Sequence, residues 1–407
     1  MRDRALRAIA ECQRIAAMSE ESGRITRRFL TPPTHEVHAH LRRRMESLGM
    51  MVQVDAAGNL RGLWKPESPS GKRLLLGSHI DTVPDAGAYD GVLGVMLALE
   101  WVELARELHL SIPIEVIAFS EEEGVRFGVP FIGSRAAAGR FDPVLLALID
   151  ADGVTLDAAI RNFGLDPAQI AAAKIGPDVC GMVEMHIEQG PVLEAESLSV
   201  AAVTAIAGQT RAVLEFTGHA NHAGTTPMRL RHDALAGAAE WIAVVESLAR
   251  QSEDLVATVG KLDVTPNASN VISGAVTMSL DLRHERDSAR TDAVEKLIEQ
   301  AIAIATRRGL SLHCMRQVDQ PAVPMDEKLT AYLAESIEAA GFPVKHMLSG
   351  AGHDAMVMAA RVPAAMLFLR SPGGISHHPD ETVREEDVEA ALLVGRQFLM
   401  RLAAEVR

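Results

Sequence analysis

Short β-like runs alternate with helical patterns along the first part of this 407-residue chain, and this alternation restricts its fold more than any other feature. The β-like runs cover residues 51–55, 73–77 and 114–119, and an apolar helical pattern covers about 91–108. A helix between two strands permits a crossover connection, which is typical of an α/β sheet. We therefore predict the α/β class, with a central mixed sheet flanked by helices.

Two helices precede the first strand in this prediction. The N-terminal segment has an amphipathic helical pattern, which Thr31, Pro32 and Pro33 interrupt. Thr34 has the hydroxyl group of an N-cap residue, so we expect a second helix from there to about Gly49.

The order of predicted strands and helices changes near residue 209, where a second region of the chain begins. Its predicted strands and helices are, in order, a strand at 210–217, a helix at 233–252, strands at 256–264 and 274–283, a helix at 287–308 and a strand at 310–316. The order βαββαβ is the ferredoxin-like pattern. We predict a catalytic domain in two pieces, residues 1–208 and 323–407, and an inserted ferredoxin-like domain at 209–322.

The composition disfavours two classes of partner. The formal net charge is −14 at pH 7, whereas nucleic acid and anionic membrane surfaces require clustered Lys and Arg. The sequence has neither a run of about 18 apolar residues nor a signal-peptide pattern. Its three cysteines, Cys12, Cys180 and Cys314, are far apart and outside any CxxC, as expected of packing thiols in a reducing compartment. We expect a cytoplasmic protein without a nucleic-acid or membrane partner.

Five short segments hold nearly all the side chains suited to catalysis. In the first, His79 and Asp81 follow a predicted strand, where positions i and i+2 point the same way. A carboxylate beside an imidazole suits a metal ligand and the residue that orients it. In the second, Asp90 opens the apolar helix and would by itself be interpreted as an ordinary capping residue.

The third segment contains three adjacent carboxylates, Glu121, Glu122 and Glu123, directly after the predicted strand 114–119. A chance acidic run normally lies on a solvated face. At the C-terminal end of a strand in an α/β sheet, however, it lies where ligands usually bind. A cation there would relieve the repulsion, so that one carboxylate ligates it while a neighbour serves as general base.

The last two segments contribute histidines. His186 lies on a strand-like run at 184–191, and His377 and His378 lie in a loop before the last helix. A single histidine in either segment would more often be structural. Together the five segments supply a mixed nitrogen and oxygen donor set, which suits Zn²⁺, Mn²⁺, Co²⁺ or Ni²⁺.

Two further histidine-containing segments need separate interpretation. The segment with His35, His38 and His40 does not match HExxH, and on a predicted helix it is interpreted as a polar face. His353, in SGAGHDA, is a candidate for the wall of a binding pocket.

Seven ordered motifs resemble the hydantoinase/carbamoylase branch of the M20 metallopeptidase-like family along almost the whole chain. They are GSHIDTVPDAGAYDGVLGV, SEEEGVRFG, MHIEQGPVLE, GHANHAGTTPM, NASNVISGAVTMSLDLRH, SGAGHDA and GISHHPDE. MHIEQGP and HAGTTPM separate this branch from the ordinary peptidases of the family. The branch includes N-carbamoyl-L-amino-acid hydrolases, β-ureidopropionases and allantoate amidohydrolases.

The resemblance implies a role for each matched residue. Two divalent metal ions per chain, Zn²⁺ or Mn²⁺ with Co²⁺ and Ni²⁺ as alternatives, would share the bridging carboxylate Asp90. The implied metal ligands are His79, Asp90, Glu123, His186 and His377. Glu122 would be the general base, and Glu121 receives no role. The family pattern Ser-His-x-Pro selects His377 rather than His378.

The resemblance also implies how a substrate is held. Gln189, Asn270 and Arg283 would bind it, and His222 would bind it and polarise the scissile carbonyl. A guanidinium suits a carboxylate because it donates two parallel hydrogen bonds. Relatives are commonly dimers, so we expect a homodimer through the inserted domain, which would also close as a lid.

The expected function is hydrolysis of the ureido or carbamoyl C–N bond of an N-carbamoyl-L-amino acid, a small anionic substrate. Allantoate amidohydrolase is the close alternative, because the two activities share nearly the same motifs. The sequence shows only one set of residues suited to hold a substrate carboxylate, and this favours the N-carbamoyl-L-amino acid. A catalytically inactive metal- or ligand-binding relative is the third alternative, and the presence of Glu122 argues against it.

Overall fold

The computed structural model describes residues 1–252 and 254–405. The chain forms two units, Met1–Thr204 with Met325–Arg407 and Ala205–Pro324. The roles expected of them, a catalytic domain and a lid or dimerisation domain, stay predictions.

The secondary structure is numbered here in chain order. The helices are α1 (Arg2–Ala16), α2 (Pro32–Ser47), α3 (Val92–Glu107), α4 (Ile132–Ala138), α5 (Leu156–Asn162), α6 (Val192–Ala195), α7 (Ala234–Gln251), α8 (Asp287–Arg308), α9 (Glu327–Ala339), α10 (Asp354–Met358) and α11 (Glu385–Glu405). The strands are β1 (Met51–Val54), β2 (Leu60–Trp64), β3 (Arg73–His79), β4 (Ile114–Phe119), β5 (Val179–Ile187), β6 (Val200–Ile206), β7 (Gly208–Thr217), β8 (Asn221–His222), β9 (Val256–Thr258), β10 (Leu262–Thr265), β11 (Val271–Ile272), β12 (Ala275–His284), β13 (Ser311–Gln320), β14 (Val323–Pro324), β15 (His346–Ser349) and β16 (Ala364–Leu369).

A mixed sheet forms the centre of the first unit. Its strands follow the order β1-β2-β4-β3-β5-β16-β6, and β15 also pairs with β6. β3 is parallel to β4 and β5, and β5 is parallel to β16, whereas β2 and β6 join by antiparallel pairing. Parallel strands are covered on both faces, which explains why β4 and β16 consist almost wholly of buried apolar residues. The predicted α/β class with a central mixed sheet flanked by helices is confirmed.

The second helix begins earlier than predicted. Thr31, with extended backbone, precedes α2, and Pro32 is its first residue, so Thr34 lies inside the first turn. A proline suits that position, because its fixed φ is helical and its missing N–H would have no partner in the first turn. Among the described residues, no helix is long and apolar enough to cross a lipid bilayer.

In the second unit, an antiparallel sheet has the order β10-β12-β7-β13, with β9 also paired to β12. Buried and half-buried residues alternate strictly along β12, so the strand has one core face and one open face. The predicted single strand at 256–264 is two short strands, β9 and β10. The core of this unit lies between the sheet and the helices α7 and α8.

Helix α3 lies unusually close to the sheet of the first unit, and Gly94 permits this approach. A Cβ atom at Gly94 would lie 2.0 Å from the carbonyl oxygen of Met185 on β5 and 2.8 Å from the Cβ of Ser78 on β3. These two strands carry His79 and His186, and the loop before α3 carries Asp90. The packing at Gly94 therefore sets the distance between three candidate ligands.

We predict that Gly94→Ala destabilises the protein, because the added methyl group must displace the backbone of β5 or the axis of α3. The expected loss in free energy of unfolding is about 1–3 kcal/mol, measured by chemical denaturation. Gly260→Ala is the matched control, since a Cβ atom at that position meets no atom within 4 Å. Equal stability of the two variants would contradict the prediction.

Candidate metal centre

Two histidines and one aspartate converge at the C-terminal ends of neighbouring parallel strands. His79 ends β3 and His186 lies near the end of β5, and their Nε2 atoms are 3.3 Å apart. Each Nε2 atom lies 3.2 Å from Oδ1 of Asp90. All three side chains are buried, and Oδ1 of Asp90 accepts no hydrogen bond.

The second oxygen of Asp90 belongs to a different group of donors. Nε2 of His377 lies 3.4 Å from Oδ2 of Asp90 and 3.4 Å from Oε1 of Glu123. Asp90 thus joins the group His79–Asp90–His186 to the group Asp90–Glu123–His377, and the potential ligand atoms within each group lie within 4.8 Å of one another. Glu123 also forms a group with His79 and Glu122.

These donors fit a divalent cation. Imidazole nitrogens and carboxylate oxygens are the ligands of Zn²⁺ and similar ions, and a buried carboxylate oxygen without a hydrogen-bond donor needs a positive partner. Nδ1 of His79 lies 3.1 Å from the main-chain oxygen of Asp81, and Nδ1 of His186 lies 2.9 Å from that of Ile187. Donation from Nδ1 to these carbonyls leaves both Nε2 lone pairs facing Asp90, the arrangement expected of metal-binding histidines.

Asp81 has a different contact from the one expected. Its main-chain oxygen, rather than its carboxylate, is the closer partner of His79, since the carboxylate lies 3.5 Å from Nδ1. The carboxylate instead accepts the backbone N–H groups of Glu122 and Glu123, both at 3.0 Å. Asp81 therefore fixes the start of the acidic loop as well as the imidazole.

Three side chains from distant parts of the chain hold Asp90. Its Oδ2 atom accepts a hydrogen bond from Nε2 of Gln189 at 2.8 Å and another from Oγ of Ser376 at 2.7 Å. Oε1 of Glu381 accepts the backbone N–H of Asp90 at 3.0 Å. Ser376 and Glu381 were not predicted as site residues, and the only signal for them was their place in GISHHPDE.

The pKa values of the candidate ligand Asp90 and the candidate base Glu122 are shifted in opposite directions. Burial alone would raise the pKa of Asp90, but His186 and His79, when they are protonated in the metal-free protein, hold it well below its usual range. Burial raises the pKa of Glu122 well above its usual range, and His79 only partly opposes this. A hydrogen bond to Glu123 raises the pKa of His377 to about 9. Glu122 therefore has the higher proton affinity of the two carboxylates, which a general base needs.

His353 lies directly beside a candidate ligand. Its ring centroid is 4.5 Å from that of His186 in an edge-on arrangement, and its Nε2 atom is 2.9 Å from Oγ of Ser349. Burial, aided by the nearby His186, lowers the pKa of His353 well below its usual range. The neutral imidazole of His353 is therefore packed edge-on against the ring of His186.

The remaining predicted substrate residues lie in the second unit. His222 on β8 pairs with Val271 on β11, and the N–H of Ala223 donates to the carbonyl of Asn270 at 3.0 Å, so His222 and Asn270 are neighbours at an exposed two-stranded sheet. Arg283 is on β12, where Nε donates to Oδ1 of Asp281 at 2.9 Å.

The chain belongs to the Peptidase family M20/M25/M40, whose profile matches residues 75–403. Enzymes of this family depend on metal ions, and the groups around Asp90 are suited to hold them. The number and identity of the ions stay predictions.

Comparison with individual proteins defines the branch. An allantoate deiminase from Arabidopsis thaliana is 38% identical over 426 residues, covering 96% of this chain and 81% of the relative. An N-carbamoyl-L-amino acid amidohydrolase from Geobacillus stearothermophilus is 38% identical over 387 residues, covering 94% and 95%. A crystal structure of a hydantoinase/carbamoylase family amidase from Burkholderia multivorans superposes with a TM-score of 0.92 at 31% identity, covering 98% of both chains. The prediction of the hydantoinase/carbamoylase branch is confirmed, and with it the prediction that the chain is a hydrolase.

The histidines of α2 have structural contacts. His35 stacks on Phe163 with ring centroids 3.7 Å apart, and His38 meets the same ring edge-on at 5.6 Å. His40 pairs with Glu11. Burial lowers the pKa of His38 to about 4.

We predict that His38 makes the protein less stable in acid. The unfolded chain binds a proton near the ordinary histidine pKa of about 6.5, whereas the folded chain does so only near 4. Stability therefore falls as the pH drops between these values, by on the order of 2 kcal/mol between neutral pH and about pH 5. His38→Leu should reduce this loss, measured by chemical denaturation at both pH values.

His346→Leu is the control, because His346 is exposed on β15. An unchanged pH dependence in His38→Leu, or a loss of bound metal, would show that the structural interpretation of these histidines is wrong.

Proposed function

We propose that this chain hydrolyses the ureido C–N bond of an N-carbamoyl-L-amino acid with two divalent ions per chain. The carrying observation is that Asp90 places one oxygen in each of two donor groups, His79–Asp90–His186 and Asp90–Glu123–His377. A shared carboxylate with separate partners on either side is the arrangement that a two-metal hydrolase requires.

The metal ions, when bound, would supply acidity to a water molecule and polarise a carbonyl oxygen. Glu122 acts as the general base, because it is buried, has a raised pKa and lies in one donor group with His79 and Glu123. It takes a proton from the attacking water and returns it to the leaving nitrogen. Asp81 holds Glu122 in place through the backbone N–H of that residue.

The substrate's acid end would be bound by Arg283, Asn270 and Gln189, and His222 would donate a hydrogen bond to the scissile carbonyl oxygen. His222 and Asn270 are exposed neighbours, which supports their acting on one ligand. For a ureido substrate, the products would be ammonia, carbon dioxide and an amine.

The second unit would serve as a ferredoxin-like lid and dimerisation domain. The strands of the path β10-β12-β7-β13, taken with α7 and α8, follow the βαββαβ order along the chain, which supports the ferredoxin-like assignment. The homodimer through this unit is proposed from the resemblance, because relatives with these motifs are commonly dimers.

Allantoate is the second candidate substrate. The allantoate deiminase from Arabidopsis thaliana and the amidohydrolase from Geobacillus stearothermophilus are equally similar to this chain, at 38% identity each. Both candidates carry a ureido group beside a carboxylate, so the same residues would act on either. Ammonia release by the Mn²⁺-, Co²⁺- or Zn²⁺-loaded protein from N-carbamoyl-L-amino acids and from allantoate distinguishes them. Release from neither substrate would contradict the proposal.

We predict that Glu122→Gln lowers kcat by roughly 100- to 10,000-fold, because an amide accepts no proton from the attacking water. Metal content, measured by elemental analysis, should stay that of the wild type.

Glu121→Gln is the matched control from the same acidic run. Oε1 of Glu121 accepts the backbone N–H of Arg126 at 3.3 Å, and a glutamine oxygen retains that bond. Substantial turnover by metal-loaded Glu122→Gln would remove Glu122 from the role of base.

We predict that Arg283→Lys raises KM by roughly 10- to 100-fold, because lysine donates no paired hydrogen bonds to a carboxylate. Steady-state kinetics with Arg250→Lys as control test this, since Arg250 lies exposed on α7 and pairs with Glu246. An unchanged KM would exclude Arg283 as the carboxylate clamp.

A further inference from the structure

Glu381 is a buried carboxylate that joins two loops of the candidate metal centre. Its Oε1 atom accepts the backbone N–H groups of Tyr89, at 2.8 Å, and of Asp90, at 3.0 Å. The side chain is 5% exposed and lies 291 positions after Asp90 in the chain. Glu381 therefore binds the backbone of one candidate ligand from the loop that carries another, His377.

The loop before α3 lacks a local group that would do this. Gly91, the N-cap residue of α3, has no side chain and a φ of 68°, and α3 has no side-chain cap. The N–H groups of Tyr89 and Asp90 precede the helix and take no part in its internal hydrogen bonds. The Glu381 carboxylate satisfies both of them and places its oxygen near the positive end of the helix dipole.

Gly87 shows how closely the two loops fit. A Cβ atom at Gly87 would lie 2.3 Å from Cβ and 2.4 Å from Oε1 of Glu381, so the backbone of the first loop packs directly on the glutamate. Only glycine permits this approach.

The loop that carries His377 is itself held in an uncommon conformation. His377 has a φ of 56°, in the left-handed region that residues other than glycine rarely adopt. The N–H of Glu381 closes a turn on the carbonyl of His378 at 3.0 Å, and Oγ of Ser376 bonds to Asp90 at 2.7 Å. Both ends of the loop are therefore anchored, one of them by Glu381.

We infer that Glu381 is a positioning residue, which sets Asp90 relative to His377 and so maintains the donor group Asp90–Glu123–His377. This inference rests on the proposed two-metal centre. Glu381 acts through the length of its side chain, which lets one oxygen accept the N–H groups of both Tyr89 and Asp90.

The two donor groups should depend on Glu381 to different degrees. His79 and His186 lie on paired strands of the central sheet, whose ladder hydrogen bonds fix their positions. His377 lies in a loop, and loops hold ligands less firmly than strands do. Loss of Glu381 should therefore weaken the group that contains His377 more than the group His79–Asp90–His186.

The test is Mn²⁺ binding to the metal-free protein, followed by the electron paramagnetic resonance signal of free Mn²⁺. The wild type should bind two ions per chain. Glu381→Ala should bind one ion with nearly wild-type affinity and the other roughly 10- to 100-fold more weakly, the usual effect of removing a group that orients a ligand.

Two further variants separate the effect of side-chain length from the effect of the negative charge. Glu381→Gln keeps the length of the side chain and an oxygen that accepts both N–H bonds, so it should bind both ions like the wild type. Glu381→Asp keeps the charge but withdraws the carboxylate by one methylene, so it should behave like Glu381→Ala. This pair decides the question even if Glu381→Ala fails to fold. Asp380→Ala is the control, because Asp380 directly precedes Glu381 in the chain and its own side chain is exposed.

The inference is overturned if Glu381→Ala and Glu381→Asp bind both ions as tightly as the wild type. It is also overturned if Glu381→Gln loses the second ion, because the charge of Glu381 rather than the length of its side chain would then be responsible for binding that ion. A wild type that binds fewer than two ions would instead refute the two-metal centre of the proposed function, and the inference with it. Thermal unfolding of each metal-free variant shows whether a loss of binding reflects a loss of fold.

Discussion

The first unit is organised around the carboxylate of Asp90, a charge that is removed from water and has to be compensated. Its two oxygens have different surroundings: Oδ1 faces the imidazoles of His79 and His186, and Oδ2 accepts hydrogen bonds from Gln189 and Ser376. A buried carboxylate is stable only with donors or cations on every lone pair. Gln189, after β5, and Ser376, in the loop after β16, supply donors to Oδ2, whereas Oδ1 accepts no hydrogen bond and faces the two histidines, where a cation would compensate it.

The sequence predicted those parts of the centre in which the relevant information is local. His79 ends an apolar run, Asp90 begins an apolar helical pattern, and the acidic run follows a strand, so position within an element marked them as candidates, and the resemblance of the seven motifs gave them their roles. Glu381 and Ser376 act on Asp90 from nearly 300 positions away, and such pairing follows only from the folded topology. Their residue types also occur on any surface loop, so their place in GISHHPDE was the only signal for them, and it did not indicate their contact with Asp90.

The fold shows the same division between local and distant information. Periodicity predicted the long buried strands and helices, because one face or both must be apolar. It placed the start of α2 at Thr34, since a hydroxyl residue was preferred to the proline that begins the helix. It merged β9 and β10, because a short turn does not interrupt a pattern of alternating residues. Boundaries depend on single hydrogen bonds, whereas the existence of a strand or helix depends on many residues.

The position of Arg283 bears on how substrates are distinguished. Its guanidinium is bound by Asp281, and the same carboxylate accepts hydrogen bonds from Arg211 at 2.9 Å and Gln209 at 2.8 Å. Two arginines thus share one carboxylate on the open face of β7 and β12. The donor groups around Asp90 would serve any ureido carbon equally, because they act on the bond that both candidate substrates contain. Selection between substrates therefore has to come from hydrogen bonds to the remainder of the molecule, where an unpaired buried polar group is costly. If Arg283 binds substrate as proposed, the polar open face of the second unit would offer such bonds, and the differences between the two kinds of relative should be sought among its residues.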